Sequence, residues 1–428
     1  MLEVQRPHYL KKLSARQDNG RVKVITGIRR CGKSYLLNRL YKQHLIDLGI
    51  GEDQIIEVAL DEARNARLRN PFELDTFVRE RVSDDSMRYY LFIDEIQFSS
   101  AEVNPYTSDP NDIITFVDVI LGLQRLENVD IYVTGSNSKM LSSDILTQFE
   151  DRADNIHLHP LSFAEYSSAI GDSNEDLRDY LVFGGMPRII NETSIQDKSR
   201  YLKQLFEETY LRDVIQRNNL RVEQEELGIV LDFIASSIGS LTNPARLENR
   251  FLSERHMRVN HTTISSYLKC FEDAFIISSA CRFDIKGGGY FKTPLKYYFE
   301  DVGLRNARLN FRQDDENHLI ENVVYSELLR RGFNVDVGVV SHRTQGVSKQ
   351  FEVDFVANLI SKRYYIQVAL GIDDPGKREQ EIASLKRIGD SFKKIVIVKD
   401  DIIPWHDERG ILYLGLRRFL VDESSMDF

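Results

Sequence analysis

The stretch Val22-Lys23-Val24-Ile25-Thr26-Gly27-Ile28-Arg29-Arg30-Cys31-Gly32-Lys33-Ser34-Tyr35-Leu36-Leu37 decides the reading of this chain. A short run rich in β-branched residues breaks at Gly27, and a helical run begins at Lys33. The spacing therefore predicts a strand, a glycine-bounded turn and a helix. A turn of this kind presents several backbone N–H groups and the positive end of a helix, which together answer the dense negative charge of a phosphate. Gly27, Arg30, Cys31, Gly32, Lys33, Ser34 and Tyr35 are the expected lining of a nucleotide site. Lys33 would neutralise the β- and γ-phosphates of ATP, and the Ser34 hydroxyl would be one ligand of a bridging Mg2+ ion.

A second signal lies at Leu91-Phe92-Ile93-Asp94-Glu95, a continuous apolar run ending in two carboxylates. In an open α/β sheet such a strand end lies at the carboxyl edge, where ligands bind. Asp94 would hold magnesium and Glu95 would polarise the attacking water. Candidate strands at Val22 to Thr26, Ile55 to Leu60, Tyr89 to Asp94, Ile131 to Thr134 and Ile156 to Leu158 alternate with amphipathic helices, the pattern of a parallel sheet covered on both faces. Polar residues from Ser99 to Asp112 read as an inserted loop. The strand ending at Thr134 runs into Gly135-Ser136-Asn137-Ser138, where Ser136 is either a sensor of the γ-phosphate or part of a plain turn. Arg152 is either a transition-state arginine for a neighbouring subunit's nucleotide or a surface ion-pair partner.

Composition bounds the rest. At 428 residues, three domains of ordinary size are expected, and a hydrophobic fraction of 42% with 29% charged residues describes a soluble globular protein. No apolar run approaches a membrane span, and Met1 to Arg6 lacks a secretory core, so a cytoplasmic address is expected. Cys31, Cys270 and Cys281 are too scattered for a disulfide framework or a zinc cluster. A net charge of −10 argues against coating nucleic acid through bulk basicity.

Beyond the first α/β segment, Leu202, Leu205, Phe206, Tyr210 and Val214 recur at helical spacing, which marks a helical lid or linker. Two helices, a third at Thr263 to Phe275 and two strands flanking Lys286-Gly287-Gly288-Gly289 follow, the order of a winged helix. Ser265, Ser266 and Lys269 would face a DNA groove if the third helix entered one. The segment Asn243 to Asp301 holds nine Lys/Arg against seven Asp/Glu, a weak footprint for DNA, so packing or dimerisation stays open as its use. From Asn317 a helix, strands at Phe351 to Ala357 and Tyr364 to Ala369, a helix and a strand at Lys394 to Val398 form a second α/β domain.

With these motifs in place, the chain resembles the prokaryotic ATPases of the AAA_14 / DUF4143 type, which join an AAA+-type domain to a C-terminal domain of unknown function. Carrying the resemblance are Thr26 to Ser34, Phe92 to Gln97, Thr134 to Ser138, His159 to Phe163, Gly184-Gly185-Met186-Pro187, Tyr298 to Arg305 and Ile320 to Tyr325. It implies a P-loop NTPase sheet of AAA+/ASCE topology, with Glu95 as catalytic glutamate and Ser136 near the sensor position. Arg152 would be the candidate arginine, set in Asp151-Arg152 rather than the usual Gly-Arg. The expected organisation is an ATPase domain over 1–160, a helical lid over 161–225, a winged helix over 226–310 and a PD-(D/E)XK-like α/β domain over 311–428. That last domain resembles restriction-endonuclease-like nucleases. Glu321 and Asp354 occupy two of the places for metal-binding acids, but Gln367 and Ala369 stand where the second strand acid and the lysine belong, with Lys377 or Arg378 as the available substitutes. The expectation is an ATP-hydrolysing protein, possible homo-oligomers included, whose cycle controls an inactive nuclease-like binding module. Its ligand is open between DNA and a protein, and a slow ATP-gated switch and a metal nuclease are the alternatives.

Overall fold

The structure is a computed structural model that describes residues 2–135, 149, 151–171, 173, 175–207, 214–215, 224–312, 315–344 and 347–428. The chain divides into two compact units, one of Glu3–Pro160 with Asp273–Phe275, the other built mainly from Leu161–Glu272 and Ile276–Phe428. No helix among the described residues is long and apolar enough to cross a membrane.

In the smaller unit, strands β1 (Val22–Thr26), β2 (Ile55–Ala59) and β3 (Tyr89–Asp94) are followed by β4 (Glu102–Val103), β5 (Ile113–Ile114), β6 (Val129–Thr134) and β7 (Ala153–His157). Five of them form a parallel sheet in the order β2-β3-β6-β1-β7. Every residue of β1, β3 and β6 is buried, as a sheet covered on both faces requires. One face sends Val22, Val24, Leu91, Ile93, Ile131 and Val133 into an apolar core with Leu74, Val78, Ile120 and Leu123.

Strand alternation turns Lys23, Tyr90, Phe92, Asp130 and Tyr132 to the other face. Lys23, fully buried, pairs with Asp130, which also accepts the Tyr132 hydroxyl at 2.7 Å. The Tyr41 and Tyr132 hydroxyls are 2.7 Å apart, which ties the helical run after Lys33 to this face. That run is α-helical over Lys33–Tyr35, π-helical over Leu36–Tyr41 and α-helical again over Lys42–Asp47. The inserted loop closes as a small hairpin in which β4 and β5 pair antiparallel and the Asn104 N–H donates to the Asp112 carbonyl at 2.7 Å.

The larger unit opens with helices at Phe163–Ile170, Asp176–Phe183, Ile195–Gln204, Gln224–Ser236, Pro244–Arg255 and His261–Asp273. Strands β8 (Ile277–Asp284) and β9 (Tyr290–Phe299), helices Val302–Arg308 and Glu316–Arg330, then β10 (Asn334–Thr344), β11 (Val347–Leu359), β12 (Lys362–Ala369), β13 (Lys393–Val398), β14 (Trp405–His406) and β15 (Leu412–Gly415) complete it, with short helices at Pro375–Glu381 and Leu416–Val421. The sheet order is β14-β15-β13-β12-β11-β10-β8-β9. The hairpin expected around Gly287-Gly288-Gly289 is therefore no detached wing. Its strand β8 pairs in parallel with β10 through Arg282, Phe283 and Asp284, so one sheet runs across residue 310. Gly338 lies on β10 between β8 and β11, where a Cβ would lie 2.8 Å from the Cβ of Val353 on β11 and 2.9 Å from the Cδ1 of Ile285 just after β8.

Candidate nucleotide site

The loop after β1 needs its glycines. Gly27 has φ 146°, and a Cβ on it would lie 2.2 Å from the Leu158 carbonyl oxygen; Gly32 has φ 103°. Arg30 takes φ 65° without being glycine, at a cost of roughly 1–2 kcal/mol. The helix starts where the Leu36 N–H donates to the Gly32 carbonyl at 2.8 Å. Lys33 is 3% exposed and its ammonium donates to the carbonyls of Gly27 and Ile28, both at 3.1 Å, so its charge lies inside the turn. Ser34 and Tyr35 are half-buried at the head of the helix and Arg30 is exposed. Burial, helped by Glu3, pushes the Tyr35 phenol above its ordinary range. The Cys31 thiol is buried 3.3 Å from the Leu158 carbonyl, packed beneath the loop.

Sheet order brings the acidic strand to the same edge. Because β6 lies between β1 and β3, Thr134 pairs with Ile25 on one side and adjoins Asp94 on the other. Its hydroxyl donates to the Asp94 carboxylate and accepts the Glu95 N–H at 3.0 Å. Asp94 is 6% exposed. Glu95 has φ 54° and ψ 51°, the left-handed region, and its carboxylate receives the Gln97 side-chain amide. A buried acid on a strand end and a second carboxylate beside it in sequence offer hard oxygens of the kind magnesium takes.

Two residues were not foreseen from sequence. Thr134 is one, although its place at the end of the strand was visible. Arg6 is the other: it is 3% exposed and donates to the carbonyls of Cys31 at 3.4 Å, His159 at 2.8 Å and Pro160 at 3.4 Å, bracing the loop from behind. No local pattern announces it. Ser136 lies outside the described residues. Arg152 is exposed at the amino end of β7, its carbonyl accepting the Val22 N–H at 2.9 Å. The five-residue span of β1 therefore separates it from Gly27 by roughly 16 Å. It is at the wrong edge to touch a nucleotide held in its own loop.

A family model described as an AAA domain matches residues 19–167. An uncharacterized protein of Haemophilus influenzae is 32% identical over 400 residues, covering 92% of this chain and 93% of its own length. The chain belongs to that protein's family, one of AAA-domain proteins. An uncharacterized protein of Methanocaldococcus jannaschii is 27% identical over 95% of this chain and 85% of its own. A second model, described as a domain of unknown function (DUF8612), matches residues 174–315, whereas the resemblance placed a DUF4143 domain over 311–428. Among solved structures, the ORC1 protein of Aeropyrum pernix in complex with DNA aligns at 11% identity over 72% of this chain and 93% of that one, with a TM-score of 0.32. Cdc6p from Pyrobaculum aerophilum aligns at 11% identity over 76% and 94%, with a TM-score of 0.30. The loop, Asp94, Glu95 and Thr134 all fall inside the AAA domain, a nucleotide-binding domain.

The nuclease-like positions in the larger unit carry a different constellation from the one expected. Lys296 of β9, 3% exposed, donates at 2.8 Å to Glu321 on the helix Glu316–Arg330 and at 2.8 Å to Glu352 on β11. The Tyr298 hydroxyl donates to Glu321 at 2.6 Å. Burial and the neighbouring Glu321 hold the Asp354 carboxyl well above the usual range, and it accepts the Val368 N–H at 2.8 Å. Burial alone would lower the Lys296 ammonium, but Glu321, Asp354 and Glu352 outweigh it and raise it. The cation beside the acids thus comes from β9, while Lys377 is exposed on the short helix Pro375–Glu381. Gln367 accepts from Ser384 at 3.3 Å and Ala369 is buried. On the helix His261–Asp273, Ser265, Ser266 and Lys269 share an exposed face.

Proposed function

We propose that the AAA domain binds ATP with magnesium and hydrolyses it, and that the cycle controls a binding module in the larger unit, with DNA as the ligand to test first. The phosphate loop with Lys33 follows β1 and the Asp94-Glu95 pair ends β3 at the same edge of the sheet, where Thr134 of the intervening β6 holds the Asp94 carboxylate and the Glu95 N–H, and this arrangement carries the reading. Lys33 neutralises the β- and γ-phosphates. Ser34 and Asp94 would hold a magnesium ion, which would supply charge neutralisation for the leaving phosphates. Glu95 polarises the attacking water, Ser136 senses the γ-phosphate, and Arg152 serves a nucleotide held by another copy of the chain. Lys33→Ala and Glu95→Gln should each abolish steady turnover; turnover equal to wild type in both would sink the assignment.

The exposed face of Ser265, Ser266 and Lys269 supports DNA as ligand, while the excess of only two basic residues from Asn243 to Asp301 favours a protein. ATP turnover measured with duplex DNA at several salt concentrations separates the two, because stimulation resting on phosphate contacts fades steeply with salt. A metal nuclease is the weakest reading. Lys296 sits among the acids where a divalent cation would be needed, and Gln367 and Ala369 supply neither charge nor proton. Metal-dependent cleavage of DNA that disappears in Asp354→Ala would reverse that judgement.

A further inference from the structure

The turn that follows the acidic strand is built more elaborately than a strand exit requires. Glu95 leads into a 3₁₀ turn at Ile96–Phe98, closed by the Phe98 N–H on the Glu95 carbonyl at 3.0 Å. This turn folds Gln97 back so that its amide donates to the Glu95 carboxylate. The turn is itself anchored. The Ser100 N–H and the Ser99 hydroxyl donate to the Arg69 carbonyl at 2.8 and 3.1 Å, and the Arg69 guanidinium lies over the Phe98 ring at 5.3 Å. Arg69 in turn donates to the Leu60 carbonyl at 2.8 Å, next to the carboxyl end of β2. On the other flank, Thr134 takes the Glu95 N–H. Backbone and side chain of Glu95 are thereby held separately, the first by Thr134 and the second by Gln97.

We infer that Gln97 is a positioning residue for hydrolysis, holding one carboxylate oxygen of Glu95 so that the other faces the attacking water. The inference rests on the ATPase reading above. A carboxylate on a flexible stem samples several rotamers, and an N–H donor fixed by its own turn selects one of them. The Gln97 amide acts on Glu95, the residue that polarises water, so its effect is expected in the chemical step.

Gln97→Leu keeps the length of the side chain's apolar stem but has no donor. It should lower kcat about 10- to 100-fold with KM and ATP affinity unchanged. Gln97→Glu, which sets a second carboxylate against Glu95, should lower it at least as far. Unchanged or raised kcat in Gln97→Leu overturns the assignment. A wild-type chain that binds ATP without turning it over would instead bring down the ATPase reading beneath it. A change in thermal melting midpoint as large in Gln97→Leu as in Thr134→Val, with KM rising in parallel, would also overturn it by showing a structural role.

Discussion

At the scale of single residues, the nucleotide site depends on groups that make two contacts at once. Thr134 is the clearest, since one buried hydroxyl donates to Asp94 and accepts from the backbone of Glu95. Thr134→Val preserves shape and removes both bonds. Turnover should fall roughly 10- to 100-fold, as when a hydrogen bond supporting a metal-ligating carboxylate is lost. The fall should appear in kcat at saturating ATP and magnesium, and wild-type kcat would show that the hydroxyl is dispensable. Gly27 is constrained as tightly from outside, because the Leu158 carbonyl leaves no room for a Cβ. These two residues also mark the limit of legibility. Gly27 was readable because turn chemistry is local, whereas the bond between Thr134 and Asp94 joins residues 40 positions apart.

Among the elements, two motifs of the larger unit that have no place in the chemistry find a packing role. Gly184-Gly185 follows the helix Asp176–Phe183, and Asp301 caps the helix Val302–Arg308. The Asp301 carboxylate accepts the Gly185 N–H at 2.6 Å and the Leu304 N–H at 3.1 Å, and a Cβ on Gly303 would lie 2.0 Å from the Phe183 carbonyl. Burial pushes the Asp301 carboxyl up to about 6 despite these donors. An acid with a raised folded value favours the folded chain below its unfolded value, near 3.9, and that advantage is lost as pH rises through about 6. Relative to Asp301→Asn, wild type should lose on the order of 2 kcal/mol of stability between pH 4 and pH 6 and change little above pH 7. Chemical denaturation across that window measures it, and a flat difference would contradict the burial effect. Element types were legible where periodicity was strong, as in β1 and β3. Strands β10 and β15 are less legible, because their places in the sheet come from parallel pairing with β8 and β13, strands separated from them in sequence, rather than from a local pattern.

For the whole molecule, the open question is whether copies of the chain share a site. Arg152 stands at the amino edge of the sheet, far from the loop of its own chain, so its proposed role requires a second copy. A mixing experiment follows. Arg152→Ala retains the loop and Lys33→Ala retains the arginine, so each alone should be inactive while an equimolar mixture regains part of the wild-type turnover. Full activity of Arg152→Ala alone, or a mixture as dead as its components, would remove the arginine from the reaction.

The phosphate loop, the acidic strand end and the helical stretches were determined by sequence alone, because turn preference, capping and apolar period act within a few residues. Tertiary structure alone decided that β6 comes between β1 and β3, that Arg6 joins the loop at Cys31 to His159 and Pro160, more than 150 positions from Arg6, and that Lys296 of β9 neutralises the acids on a helix and a strand beyond it. The physical reason is the same in each case. A strand's alternation states which face a side chain takes, but which strand lies beside it is settled only when the whole sheet assembles.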